Sequence, residues 1–125
     1  MRYLTDRKRA EGKGAAHVGG TATHHFMQLS AVGLAFMVPT FLYIFGHTLG
    51  QNHEVVIATF SRPFPAILTG LVIFIAMRHF SKGAKSVVDD YTKGTAHKTL
   101  SILILFISYT VTAIGLYALV RIAAF

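Results

Sequence analysis

Three uncharged, strongly apolar stretches divide this chain, with polar segments before and between them. The first runs from about Phe26 to Phe45, the second from Pro63 to Met77, and the third from about Thr99 to Val120. A helix needs roughly 20 residues to cross the hydrocarbon core of a bilayer. The first and third stretches meet that length as they stand. The second has only 15 uncharged residues, so its helix must continue to about residues 82–85 and carry Arg78 and His79 into the membrane. The pattern predicts an all-α membrane protein with three transmembrane helices at about 26–45, 63–85 and 99–121. Residues 24–125 form the three-helix transmembrane domain, and residues 1–23 a polar, basic N-terminal arm.

Local signals refine this division. Gly12, Gly14, Gly19 and Gly20 in the arm favour an extended or loosely ordered chain lying against a partner at the membrane surface. Pro39 is expected to kink the first span, which a membrane helix tolerates. The segment from Gly46 to Arg62 reads as a polar loop. Pro63 and Pro65 mark entry to the second span, because proline fits a helix's first turn. Lys93 and Gly94 predict a turn before the third span. Ser108, Tyr109, Thr110 and Thr112 are polar inserts of the kind that serve helix packing in membranes.

Composition fits a small membrane protein: 125 residues, 53% hydrophobic and 14% charged, with no room for a second domain. The formal charge of +7 does not point to nucleic acid, since the basic residues alternate with long apolar runs and form no stripe on a soluble fold. They read as topology signals. The arm carries five Lys or Arg and the segment 78–98 another five, against Arg62 alone in the first loop and Arg121 alone at the C-terminal end. The N-terminus and second loop are therefore expected on the cytoplasmic side, with the C-terminus opposite. The absence of cysteine excludes disulfides and thiolate ligands within the chain. The first 25 residues lack the apolar core of a cleavable signal peptide.

The chemistry concentrates at the end of the second span. A charged group at depth costs at least about 2.5 kcal/mol on insertion scales, so Arg78 and His79 need a reason to be there. On a helix, His79, Gly83, Ser86 or Val87, and Asp90 share one face. Eleven residues separate His79 from Asp90, about 16 Å along the axis. The stripe thus holds a nitrogen donor at moderate depth, a glycine that admits close approach by a flat cofactor or partner helix, and a carboxylate at the boundary. Tyr91 follows with a phenol able to hydrogen-bond at the interface. A buried neutral imidazole can serve as an axial haem ligand or simply bond a neighbouring helix. Arg78 can meet a haem propionate or snorkel to the surface. His24 and His25 sit at the start of the first span, solvated or in contact with a cofactor's acidic groups. Asp89 reads most simply as a solvated charge. Asp90 and Tyr91 suit a quinone headgroup.

The spacing His79, Gly83, Asp90-Tyr91 resembles the H-x3-G-x6-D-Y signature of the small membrane-anchor D subunit of succinate dehydrogenase, the succinate:quinone oxidoreductase of respiratory complex II. The polar arm with Gly12, Gly14 and Gly19 before His24-His25-Phe26, the three spans and the length agree with it across essentially the whole chain. The opening Met1 to Ala10 and the stretch Arg62-Pro63-Phe64-Pro65-Ala66 look like the alphaproteobacterial branch.

The resemblance implies a multi-pass subunit of the bacterial inner membrane that does not itself oxidise succinate. It would anchor a flavoprotein and an iron–sulfur subunit and pass electrons to ubiquinone bound among the iron–sulfur, C and D chains. By position, His79 would be one axial ligand of haem b, the other histidine coming from the cytochrome b C subunit. Tyr91 would hydrogen-bond a quinone carbonyl, with Asp90 supporting that site or its proton supply. Arg78 and His24 are candidate propionate contacts that match no motif position. Alternatives are the C subunit of the same enzyme, a haem b subunit of another quinone-linked dehydrogenase, or a membrane protein without a cofactor. Arg78-His79 superficially matches the C subunit's R-H-[LM] stretch, but Asp-Tyr eleven residues on favours D. The second alternative calls for two deep histidines, and only His79 is deep. The third leaves the charged face of the second span unexplained.

Overall fold

The computed structural model describes residues 24–124 in full and, for residues 2–23, the backbone course alone. It is all helix: α1 (Arg2–Thr48), α2 (His53–Ser61), α3 (Pro63–Tyr91) and α4 (Gly94–Ala124). Three segments are long and apolar enough to cross a membrane, His24–Thr48, Pro63–Tyr91 and Gly94–Ala124. Each of these segments contains one of the three apolar stretches of the sequence. The surface role of the arm at residues 1–23 lies outside the described residues. Its backbone from Arg2 onward belongs to α1 and is helical, not extended. Ala10, Glu11, Lys13, Ala15 and Ala16 are good helix formers that work against the four glycines.

The sequence-based loop between the first two spans contains a helix whose apolar residues, Val55, Val56, Ile57 and Phe60, make too short a run to mark a span. Asn52 caps α2, its side-chain oxygen accepting from the backbone N–H of Val55 at 2.9 Å. Phe60 turns inward and is buried, 6.5 Å from the Phe45 ring on α1. Ser61 Oγ reaches the carbonyl of Ile122 at 3.1 Å, tying α2 to the end of α4. Gly50 and Gly94 have positive φ, of 80° and 68°, where a side chain would be strained. Gly94 makes the turn expected between α3 and α4. Thr92 closes α3, its N–H and hydroxyl both donating to the Val88 carbonyl.

Of the three long helices, α3 is the middle one. It packs antiparallel to α1 on one side and antiparallel to α4 on the other, while among the described residues α1 and α4 do not meet. With α1, the register pairs Phe26, Met27 and Ser30 with Lys82, Gly83 and His79. With α4, it pairs Gly70, Ile73, Arg78 and Asp89 with Leu119, Gly115, Tyr109 and His97. α1 runs without interruption through Pro39. Such a single layer encloses little. Among the described residues, the buried apolar side chains are Phe60, Pro65, Leu68 and Val88, and no large one is fully enclosed. Ser30, Thr48 and Ser108 are buried as deeply, because in lipid the small hydroxyl residues go between helices and the large apolar ones face outward. The exposed residues include Leu29, Phe36, Phe74 and Phe106, a surface suited to lipid and to other membrane chains.

Candidate functional site

Two consecutive residues of α3 point to opposite neighbours. The imidazole of His79 is half-buried in the seam with α1, its Nδ1 2.8 Å from the hydroxyl of Ser30. Gly83, one turn on, faces the same helix: a Cβ there would lie 3.7 Å from the Met27 methyl. Gly83 thus lies on the α1 side of α3, at ordinary van der Waals distance from that methyl. Further along, the ammonium of Lys82 stands 5.3 Å over the ring of Phe26, a cation–π contact at the polar end of the seam.

Arg78 lies in the other seam. Its Nη1 donates to the Tyr109 hydroxyl on α4 at 3.2 Å. A cavity of about 110 Å³ opens there, lined by Phe74, Met77, Arg78, Ser81, Ser108, Tyr109 and Thr112. Ser108 Oγ is buried at its edge with no hydrogen-bond partner, while Thr112 Oγ1 donates to the Ser108 carbonyl at 2.7 Å. Of the hydroxyl inserts assigned to packing, Ser108 sits between helices and Tyr109 is the partner of the guanidinium. A phenol is neutral, so the Arg78 charge finds no acidic partner among the described residues.

At the end of α3 the aspartate doublet separates. Asp89 is more than a solvated charge: its Oδ1 accepts from Lys85 Nζ at 2.5 Å and from His97 Nε2 of α4 at 2.6 Å. The Lys85 pair spans one helical turn, and the His97 pair bridges the α3–α4 turn. Asp90 and Tyr91 are exposed, Tyr91 to 83%. Neither makes a side-chain hydrogen bond or ion pair among the described residues. His24 and His25 are exposed at the start of the described part of α1, their rings 6.5 Å apart.

Sequence reasoning found His79 but missed Ser30, which lies 49 residues away and gives no local signal. Among the described residues no three potential metal ligands come together. An iron at His79 therefore needs a further ligand from outside them. The chemistry that the geometry allows is one nitrogen ligand in a helix seam and, about 18 Å along α3, an exposed carboxylate and phenol at the polar boundary.

The family model described as succinate dehydrogenase/fumarate reductase transmembrane subunit matches residues 1–120. The chain is also 41% identical over 121 residues to a Paracoccus denitrificans protein named succinate dehydrogenase hydrophobic membrane anchor subunit, covering 97% of this chain and 93% of that one. No solved structure matches it.

Proposed function

As the chain belongs to the succinate dehydrogenase/fumarate reductase transmembrane subunit family, we propose that it is the hydrophobic membrane anchor of a succinate dehydrogenase. In this reading it sits in the bacterial inner membrane with its N-terminus cytoplasmic, where it holds a flavoprotein, an iron–sulfur subunit and a cytochrome b C subunit. It has no succinate-oxidising activity of its own, and it helps deliver the electrons to ubiquinone. The observation that carries the proposal is the division of labour along α3: one imidazole in the seam with α1, and exposed Asp90 and Tyr91 beyond it. The Paracoccus relative is named as the anchor, which favours the D subunit over the C subunit.

His79 would be the nitrogen ligand this chain offers to haem b, with a second histidine from the C subunit. Its fit rests on the Ser30 contact, which ties down Nδ1 and leaves Nε2 for iron. When bound, haem would supply a one-electron store. Tyr91 donates a hydrogen bond to a quinone carbonyl, with Asp90 as the carboxylate that supports it. Asp90 suits this role because Asp89 is already engaged by Lys85 and His97. His24, exposed at the same end, suits a propionate contact. Arg78 would have to leave Tyr109 and the far seam to make one. The thin layer encloses neither group, so partner chains complete both sites.

The experiment is purification through a tag on this chain from its native membranes. Recovery of a flavoprotein and an iron–sulfur protein with succinate-dependent ubiquinone reduction is expected. A chain that purifies without them and without that activity would overturn the proposal.

A further inference from the structure

We propose that Ser30 is a positioning residue for His79: its hydroxyl accepts the Nδ1–H proton, fixing the tautomer that leaves Nε2 bare for a metal. This rests on the reading of His79 as a haem ligand. The observations are the two contacts of one hydroxyl. Ser30 Oγ lies 3.1 Å from the Met27 carbonyl as a donor and 2.8 Å from His79 Nδ1. A serine hydroxyl has one proton and two lone pairs. Helical serines place that proton on a carbonyl of the preceding turn, here Met27. The oxygen then faces the imidazole with a lone pair, and only a protonated Nδ1 satisfies both contacts. The neutral ring carries a single N–H, so Nε2 holds the free pair that binds iron.

Burial makes the arrangement consequential. Ser30 is 6% exposed, and in the membrane interior no water replaces a lost partner. The Met27 side chain against Gly83 packs α1 onto α3 one turn away, which holds the serine at hydrogen-bond distance. A ligating histidine whose other N–H is bonded to oxygen is oriented by that bond and becomes a more basic ligand. A more basic ligand favours the oxidised iron. Loss of the bond therefore raises the midpoint potential, and it frees the ring to rotate.

The test uses the complex purified with all its subunits, comparing wild type, Ser30→Ala, Ser30→Thr and His79→Ala by redox titration of the b-type absorption and by EPR of the oxidised haem. Ser30→Ala is expected to retain haem with an upward-shifted midpoint and altered low-spin g-values. Ser30→Thr restores both, and His79→Ala loses the low-spin signal. Wild-type potential and g-values in Ser30→Ala, with the signal lost in His79→Ala, would overturn the role of Ser30 alone. An unchanged low-spin signal in His79→Ala would overturn the ligand reading itself. Should Ser30→Ala fail to assemble, Ser30→Cys keeps the volume with a weaker acceptor, and wild-type values there would sink the proposal equally.

Discussion

The two seams of α3 are built from different materials. Against α4, the membrane-embedded half closes through glycines: a Cβ on Gly70 would sit 3.3 Å from Leu119, and one on Gly115 would sit 3.2 Å from Ile73. Against α1, a polar pair, Ser30 with His79, sits beside the Met27 contact to Gly83. Glycine contacts bring backbones together and gain dispersion. A hydrogen bond to an imidazole instead fixes an orientation, which a cofactor ligand requires. At these contacts the helix is held by shape on the α4 side and aimed by chemistry on the α1 side, the polar pairs of the α4 seam, Arg78–Tyr109 and Asp89–His97, lying further toward the end of α3. Arg78 and His79, adjacent in sequence and 100° apart on the helix, fall on either side of that divide.

The largest effect expected is from breaking the shape-based seam. Gly115→Leu places a branched side chain into Ile73 and should cost roughly 1–3 kcal/mol by overpacking. Thermal unfolding of the purified complex would read this as a lowered midpoint. The haem spectrum of molecules still folded should stay low-spin, since the α1 seam is not touched. Simultaneous loss of both would mean the seams are not separable.

Next in size is Tyr91→Phe, which removes one exposed hydroxyl and nothing else. Loss of one hydrogen bond to substrate, about 1.4 kcal/mol, predicts a fall of roughly tenfold in kcat/KM for ubiquinone. Succinate oxidation by an artificial acceptor should be unchanged. Equal loss in both assays would argue against a quinone contact. The smallest contrast lies within the doublet. Asp90→Asn should lower ubiquinone turnover, while Asp89→Asn should leave turnover alone and cause only a slight fall in thermal stability, since both of its pairs are only partly shielded from solvent. The reverse result would move the site by one residue.

Much of this was legible in the sequence, for a physical reason: lipid sorts whole 20-residue stretches by polarity, so the spans and their alternation appear in the hydrophobic pattern. Charge placement added an expected orientation. Other features were hidden because they depend on tertiary approach. Ser30 and His79 meet only when α1 and α3 fold side by side. The pairing of Asp89 with Lys85 follows a one-turn spacing and could have been read from sequence, whereas its bond to His97 required the turn at Gly94. α2 was missed because a nine-residue helix between polar flanks lacks the long apolar run that marked the others. Its signal was Asn52 with Glu54 in the first turn.

If His79 holds haem b from this side of the complex, removing its imidazole must change the haem spectrum. The most direct measurement is the dithionite-reduced minus oxidised visible spectrum of the purified complex, wild type against His79→Ala, with partner subunits still co-purifying. Wild type is expected to show a b-type signal that is lost or turned high-spin in the variant. A low-spin spectrum unchanged by His79→Ala would contradict ligation by His79 and send the search to another histidine.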